Sequence, residues 1–241
     1  MKICDWDNLE EGISICESLF YNNIPATTPF ESLTLFDDPE IQLISAKLTN
    51  DLKYKNLVSV GNFPKRVSKE KIRIGYYSAD LYYHPVSIWL AEQIENHDKN
   101  KFELFAFCMK SVMDPMRVRL ENAFDHWIEI ESMSDLEVTQ LSRELEIDIA
   151  LDLNGHTQTC RTGIFASRAA PVQVSVLGMP GTMGAEYIDY IISDPFTVTQ
   201  YNLPFITEKV MVVPCAYTYD NHRSISEESL TRKQYGLPER G

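Results

Sequence analysis

Residues 72–97 read IRIGYYSADLYYHPVSIWLAEQIENH: a short apolar run gives way, through a polar loop, to an amphipathic stretch. The run reads as a strand and the stretch from Pro85 as a helix. Proline suits the first helical position, where its missing N–H costs nothing, and this leaves His84 as the capping residue. The same succession continues downstream. FELFAFC (102–108), HWIEI (126–130), DIALDLN (148–154), VQVSVLG (172–178), YIDYIIS (187–193) and KVMVVP (209–214) are β-rich runs. Amphipathic stretches lie between the earlier of them. Met116, Leu120, Ala123 and Phe124 share one helical face, and Ser134 with Glu137 forms a capping box ahead of Val138, Leu141 and Leu145. Such alternation predicts an α/β fold, a parallel sheet covered by helices on both faces, with ligands bound beyond the carboxyl ends of the strands.

Upstream of this unit the pattern is helical. Leu9, Ile13, Cys16, Leu19 and Phe20 recur at helical spacing within residues 5–22, and NNIPATTPF (22–30) breaks the run. A second helix begins in FDDPEIQLISAKLTNDL (36–52), with Asp38 as N-cap and Pro39 at the first helical position. The polar, basic connector GNFPKRVSKEK (61–71) follows, which divides the chain into a helical lead-in, 1–70, and an α/β unit, 71–241. The last residues, SISEESLTRKQYGLPERG (224–241), give a polar helix-like stretch and then Gly236, Leu237 and Pro238, which usually introduce another element.

Composition narrows the function classes. With 241 residues, 44% of them hydrophobic, the chain can bury a substantial core. Its formal net charge of −13 repels phosphate backbones and no Lys/Arg cluster overrides it, which argues against nucleic-acid binding. Five cysteines (Cys4, Cys16, Cys108, Cys160, Cys215), widely spaced and without a C-x-x-C pair, read as buried thiols in a reducing compartment. The start MKICDWDNLEEG has acids where a signal peptide needs an apolar core, and no apolar run approaches membrane-spanning length. A cytoplasmic protein without membrane contact is expected.

Three loops at predicted carboxyl strand ends could carry chemistry. In the first, Ser78, Asp80 and His84 precede the helix that starts at Pro85, and a helix N-terminus there would attract phosphate or a developing anion. Spacing alone equally supports a capped turn. In DLNGHTQTCR (152–161), His156 and Thr157 would project over the same rim, while Arg161 would hold an anion or, by default, pair with a surface acid. In LGMPGTMG (177–184), three glycines and a proline set an unusual backbone path, suited to close ligand approach or to a tight connection. The chain has no G-x-G-x-x-G after its first strand, no P-loop and no G-x-S-x-G. Asp5 and Asp7 form a D-x-D pair, but at the start of a helix they read as N-capping residues.

Together IRIGYYSADLYYHPVS (72–87), DLNGHTQTCR (152–161), APVQVSVLGMPGTMGAEYIDYIISD (170–194) and RKQYGLPE (232–239) resemble the O-GlcNAc transferase family, which includes plant SPINDLY-type and many bacterial members. CDW (4–6) and PFESLTLFDDPEIQLISAK (29–47) are similar to the bacterial family's segment between its tetratricopeptide repeats and catalytic region. The resemblance implies one Rossmann-like lobe of a GT-B glycosyltransferase. Such an enzyme is inverting, needs no metal or cofactor, and transfers sugar from a nucleotide donor, UDP-GlcNAc or GDP-fucose, to Ser or Thr of an acceptor protein. It also implies site residues: His84 and Pro85 against the donor's sugar and diphosphate, Asp80 beside them, and Leu177, Gly178, Pro180, Gly181 and Thr182 shaping the sugar pocket. His156 matches the bacterial form of its loop; His84, Asp80 and His156 are the candidate catalytic residues.

The chain also departs from the family. Val86 follows His84 and Pro85 where many members carry Thr, and Glu31 stands before Ser32 where animal enzymes carry His. The second lobe, which in the family holds the nucleotide, is expected from a further or separately encoded segment. Without it the chain is expected to be inactive. The rival expectation is a non-catalytic binding module built on the same lobe. A dehydrogenase or methyltransferase is disfavoured by the absent glycine-rich first loop.

Overall fold

A computed structural model describes residues 6–63, 70–176, 178–217 and 226–240. Helices α1 (Leu9–Tyr21), α2 (Pro29–Leu35) and α3 (Pro39–Lys53) come first. Strand β1 (Ile72–Ser78), α4 (Pro85–Glu95), β2 (Phe102–Cys108), α5 (Pro115–Ala123), β3 (His126–Glu129), α6 (Asp135–Glu144) and β4 (Ile149–Asp152) then alternate. The short α7 (Gly163–Ala166) leads to β5 (Val172–Ser175), β6 (Tyr190–Ser193) and β7 (Lys209–Val212). All seven strands pair in parallel, in the order β3-β2-β1-β4-β5-β6-β7.

The period of two in β1 and β2 divides the core. Ile74, Tyr76, Leu104 and Ala106 face one layer with Leu90 and Ile94 of α4 and Leu120 of α5. Tyr77, Phe105 and Phe107 face the other, with Val138 of α6 and Ile164 of α7. Tyr77 stacks on Phe107 at 4.2 Å between ring centroids, and its hydroxyl donates to Ser142 Oγ at 2.6 Å, so its one polar atom is satisfied in the core. The helices start where side chains cap them. His84, Asp114 and Ser134 each accept a backbone N–H at the start of α4, α5 and α6 respectively.

The lead-in differs from expectation in two places. Asn8, in the left-handed region at φ 59°, caps α1, so Asp7 lies one residue outside the capping position; Asp5 lies outside the described residues. Within 22–30 a further helix starts: Thr28 and Glu31 close a capping box around Pro29, a start signal visible in the sequence. Residues 64–69 of the connector are outside the described residues, and the helix-like stretch near 232 is a single 3-10 turn, Arg232–Tyr235.

The lead-in docks through α3 on the connection between β5 and β6. Asn50 Nδ2 donates to the Met183 carbonyl at 2.6 Å, and Tyr187 Oη donates to Asn50 Oδ1 at 2.7 Å. Gly184, at φ +62°, lies so close that an added Cβ would stand 2.8 Å from Ala46 Cβ. Gly184→Ala should therefore destabilise the protein by about 1–3 kcal/mol from backbone strain, and further from the clash with α3. Urea unfolding measures it; a loss below about 0.5 kcal/mol would show that α3 is not held at this contact.

Candidate active site

The sheet order reverses between β1 and β4, so the connections from these neighbours leave in opposite directions and open a crevice at their carboxyl ends. A cleft of about 1280 Å³ lies there. Asp80, Tyr82, His84, His156, Thr157 and Gly178 line its sheet side. Thr28, the N-cap of α2, and Glu31 within it, with Lys53 and Tyr54 at the end of α3, line the other.

The first loop is fixed from within. Asp80 N–H donates to Ser78 Oγ at 3.0 Å, and Ser87 Oγ of α4 donates to the Asp80 carbonyl at 2.6 Å. His84 Nδ1 accepts the Val86 N–H at 3.3 Å, which leaves Nε2 to carry the proton of the neutral ring; Nε2 lies 3.9 Å from Asp80 Oδ1. Lys110, beyond the end of β2, sits over the Tyr82 ring at 5.4 Å, and Tyr82 in turn packs against His84 with ring centroids 5.8 Å apart. A cation therefore stands near the N-terminus of α4, whose first N–H groups and dipole already favour an anion.

The second loop supplies the floor. Asp152, 2% exposed, accepts the N–H groups of Asn154 and Gly155 on Oδ1 at 3.0 and 3.1 Å, and its Oδ2 has no partner among the described residues. Asn154 Nδ2 reaches across to Asp80 Oδ2 at 2.9 Å. His156, 5% exposed, donates from Nε2 to the Met183 carbonyl at 3.0 Å, so Nδ1 is its basic nitrogen. Gly178 packs its backbone against this loop: a Cβ there would overlap the carbonyl oxygens of Leu153 and Asn154.

The candidate residues thus separate. His84, Asp80, His156 and Gly178 line one cleft. Pro85 starts α4 and is exposed, Pro180 is exposed, and Gly181 packs against Leu33; none of the three is in the lining. Thr182 is buried, its hydroxyl bonded to Glu208 Oε2 at 2.7 Å and to Thr207 Oγ1 at 3.1 Å, so it holds the turn's shape from beneath. Leu177 lies outside the described residues. Arg161 bonds Asp135 and the carbonyls of Ile130 and Met133, a structural role matching its default reading. The cysteines are not uniformly buried. Cys108 is buried, Cys16 and Cys160 partly so, and Cys215 is exposed because it follows the edge strand β7; Cys4 is outside the described residues.

Sequence reasoning passed over Asn154, Lys53, Tyr54, Tyr82 and Lys110. Of these Asn154 and Tyr82 lay inside motifs quoted above, at 152–161 and 72–87; Lys53, Tyr54 and Lys110 reach the cleft through packing between distant segments. Among the described residues no three His, Cys, Asp or Glu side chains gather as metal ligands, and no helix is long and apolar enough to cross a membrane.

The model of the glycosyl transferase family 41 matches residues 3–239. Among curated proteins, the probable UDP-N-acetylglucosamine-peptide N-acetylglucosaminyltransferase SEC of Arabidopsis thaliana is 27% identical over 98% of this chain and 26% of its own length. The corresponding Caenorhabditis elegans transferase is 27% identical over 91% of this chain and 20% of its own. A solved O-GlcNAc transferase from Thermobaculum terrenum, a mutant form, superposes with a TM-score of 0.70 at 28% identity, covering 88% of this chain and 39% of that one. The chain therefore spans about a quarter of the first of these relatives and less than half of the solved one.

Asp152 and His156 respond to pH in opposite senses. Burial pushes the Asp152 carboxyl up to about 6, against the pull of its two backbone N–H bonds. Its folded pKa lies above the unfolded one, so the stability it contributes is complete below about pH 4 and is lost as pH rises through 6, on the order of 3 kcal/mol. Burial pushes the His156 imidazole down, so its contribution is present above the ordinary histidine value and is lost as pH falls. Asp152→Asn keeps the Oδ1 acceptor and removes the ionisation. Urea unfolding between pH 5 and 8 (a range spanning the about-6 value) should show wild type losing stability relative to the variant as pH rises, by about 1–3 kcal/mol; parallel curves would contradict the assignment.

Proposed function

The chain belongs to glycosyl transferase family 41, and from that premise we propose that its cleft is one wall of the sugar-nucleotide site of an inverting protein O-glycosyltransferase. The donor is UDP-GlcNAc, the acceptor a Ser or Thr hydroxyl of a protein, and the opposite wall a second lobe. One observation carries the reading: the N-terminus of α4, capped by His84, opens onto the cleft at the switch point of the sheet, with Asp80 beside it.

The geometry supports a division of labour. The leaving group is a nucleoside diphosphate, whose negative charge grows as the bond to the anomeric carbon breaks. The first N–H groups of α4 and Lys110 offset that charge at fixed positions. His84 orients the donor's sugar and diphosphate. The acceptor oxygen attacks the anomeric carbon from the opposite side and gives its proton to Asp80 or His156. Asp80 is the better placed, because its side chain is 17% exposed to the cleft whereas His156 is nearly buried with Nε2 committed to Met183. No step in this scheme calls on a metal. The exposed thiol of Cys215, free among the described residues, supports a reducing compartment such as the cytoplasm.

Calorimetric titration tests the proposal. UDP-GlcNAc is expected to bind the 241 residues weakly, more tightly than GDP-fucose, and tighter again once a family second lobe is supplied. His84→Ala and Lys110→Ala should each weaken binding by roughly 5- to 30-fold, the loss of about 1–2 kcal/mol of interaction with an anion. Absence of donor binding under both conditions would favour the non-catalytic module. Turnover by the 241 residues alone, lost in His84→Ala, would overturn the need for a second wall.

A further inference from the structure

We propose that Asn154 is a positioning residue for the transfer step, holding the Asp80 carboxylate in the orientation from which it takes the acceptor proton. The inference deepens the reading above and rests on Asp80 acting as the base.

Asn154 is 1% exposed, and both ends of its amide are used. Oδ1 accepts the Ala79 N–H at 2.9 Å, and Nδ2 donates to Asp80 Oδ2 at 2.9 Å and, more loosely, to Thr157 Oγ1 at 3.4 Å. Since Ala79 N–H can only donate, the amide has one sense, and its NH2 group must face the carboxylate. The Asn154 backbone N–H is held in turn by Asp152 Oδ1 at 3.0 Å, so the amide is anchored to the floor of the sheet.

Few side chains could serve here. An aspartate would set a second carboxylate against Asp80, and an apolar residue would strand the Ala79 N–H in a buried place. The Asp80 backbone does not depend on this contact, because Ser78 and Ser87 hold it independently. What Asn154 adds is the direction of the carboxylate. With Oδ2 engaged, Oδ1 is the oxygen turned toward His84 Nε2, 3.9 Å away. In the transfer step the acceptor O–H bond breaks and its proton passes to Asp80 Oδ1. The acceptor oxygen bonds the anomeric carbon, and the diphosphate departs with the electron pair toward α4. A carboxylate free to rotate would spend much of its time aimed elsewhere, and misplacement by about 1 Å costs up to ~100-fold in rate.

The test uses the chain completed by a family second lobe, comparing wild type with Asn154→Ala, Asp80→Asn and the exchanged pair Asp80→Asn/Asn154→Asp. Turnover, donor affinity and thermal unfolding are measured for each. Asn154→Ala should lower kcat by roughly 10- to 100-fold while donor affinity stays within about 3-fold of wild type. The exchanged pair restores a hydrogen bond of reversed polarity. It should recover the unfolding midpoint but not turnover, because it lacks the Asp80 carboxylate; the positioning role is read from Asn154→Ala, whose loss of kcat at near-constant donor affinity a purely structural role does not predict. Wild-type turnover in Asn154→Ala, or in the exchanged pair, would overturn the proposal. Wild-type turnover in Asp80→Asn would instead remove Asp80 as base, and this inference with it, while leaving donor binding at α4 standing.

Discussion

The pairing of β1 with β4 is the contact on which the site depends. The two strands are far apart in sequence yet lie side by side in parallel register, Ile74 opposite Ile149 and Tyr77 opposite Asp152. The ladder runs one bond further, with Leu153 N–H donating to the Tyr77 carbonyl at 3.1 Å. The loops that follow therefore leave the sheet at the same level, and Asn154 arrives within hydrogen-bond distance of Asp80. A slip of two residues would keep each side chain on its proper face, yet carry these groups about 7 Å apart. Register here is held by burial on both faces: β1 contributes Ile74 and Tyr76 to one core layer and Tyr77 to the other.

The same junction explains the electrostatics. A chain with a net charge of −13 is a poor general binder of anions, and its whole-molecule field opposes phosphate. The cleft brings in locally the start of α4 and Lys110 on the sheet side and Lys53 on the helical side, beside the acids Asp80 and Glu31. Beneath them lies a buried carboxyl, Asp152, that burial drives toward its neutral form. Glu208, by contrast, is a buried acid whose two oxygens are engaged, by Thr182 Oγ1 and the Met183 N–H, and it fixes the glycine-rich turn beside the cleft.

How much of this was legible in the sequence depended on the range of the interaction concerned. Every strand was visible as a short β-rich run, and the starts of α3, α4 and α6 were visible because Asp38, His84 and Ser134 sit next to the helices they cap. Even α2, passed over in the segment taken as a break, carried its signal in Thr28 and Glu31. The cap of α1 was less legible, since Asn8 in a left-handed conformation makes no side-chain bond and two aspartates nearby looked better suited. In the glycine-rich turn, composition showed an unusual backbone path but not which way Thr182 faced; Glu208, in a later segment, decides that.

The sequence by itself determined the α/β alternation, the helix starts and the loops in which His84, Asp80 and His156 stand, because periodicity, capping and proline geometry act within a few residues. Only the tertiary structure decided that α2 and α3 close the cleft, that Lys53, Tyr54 and Lys110 reach it, and that Asn154 bridges to Asp80. Those facts follow from strand order and from how helices dock on a sheet. Both arise from burying apolar surface between segments distant in the chain, which leaves no local spacing for a sequence to show.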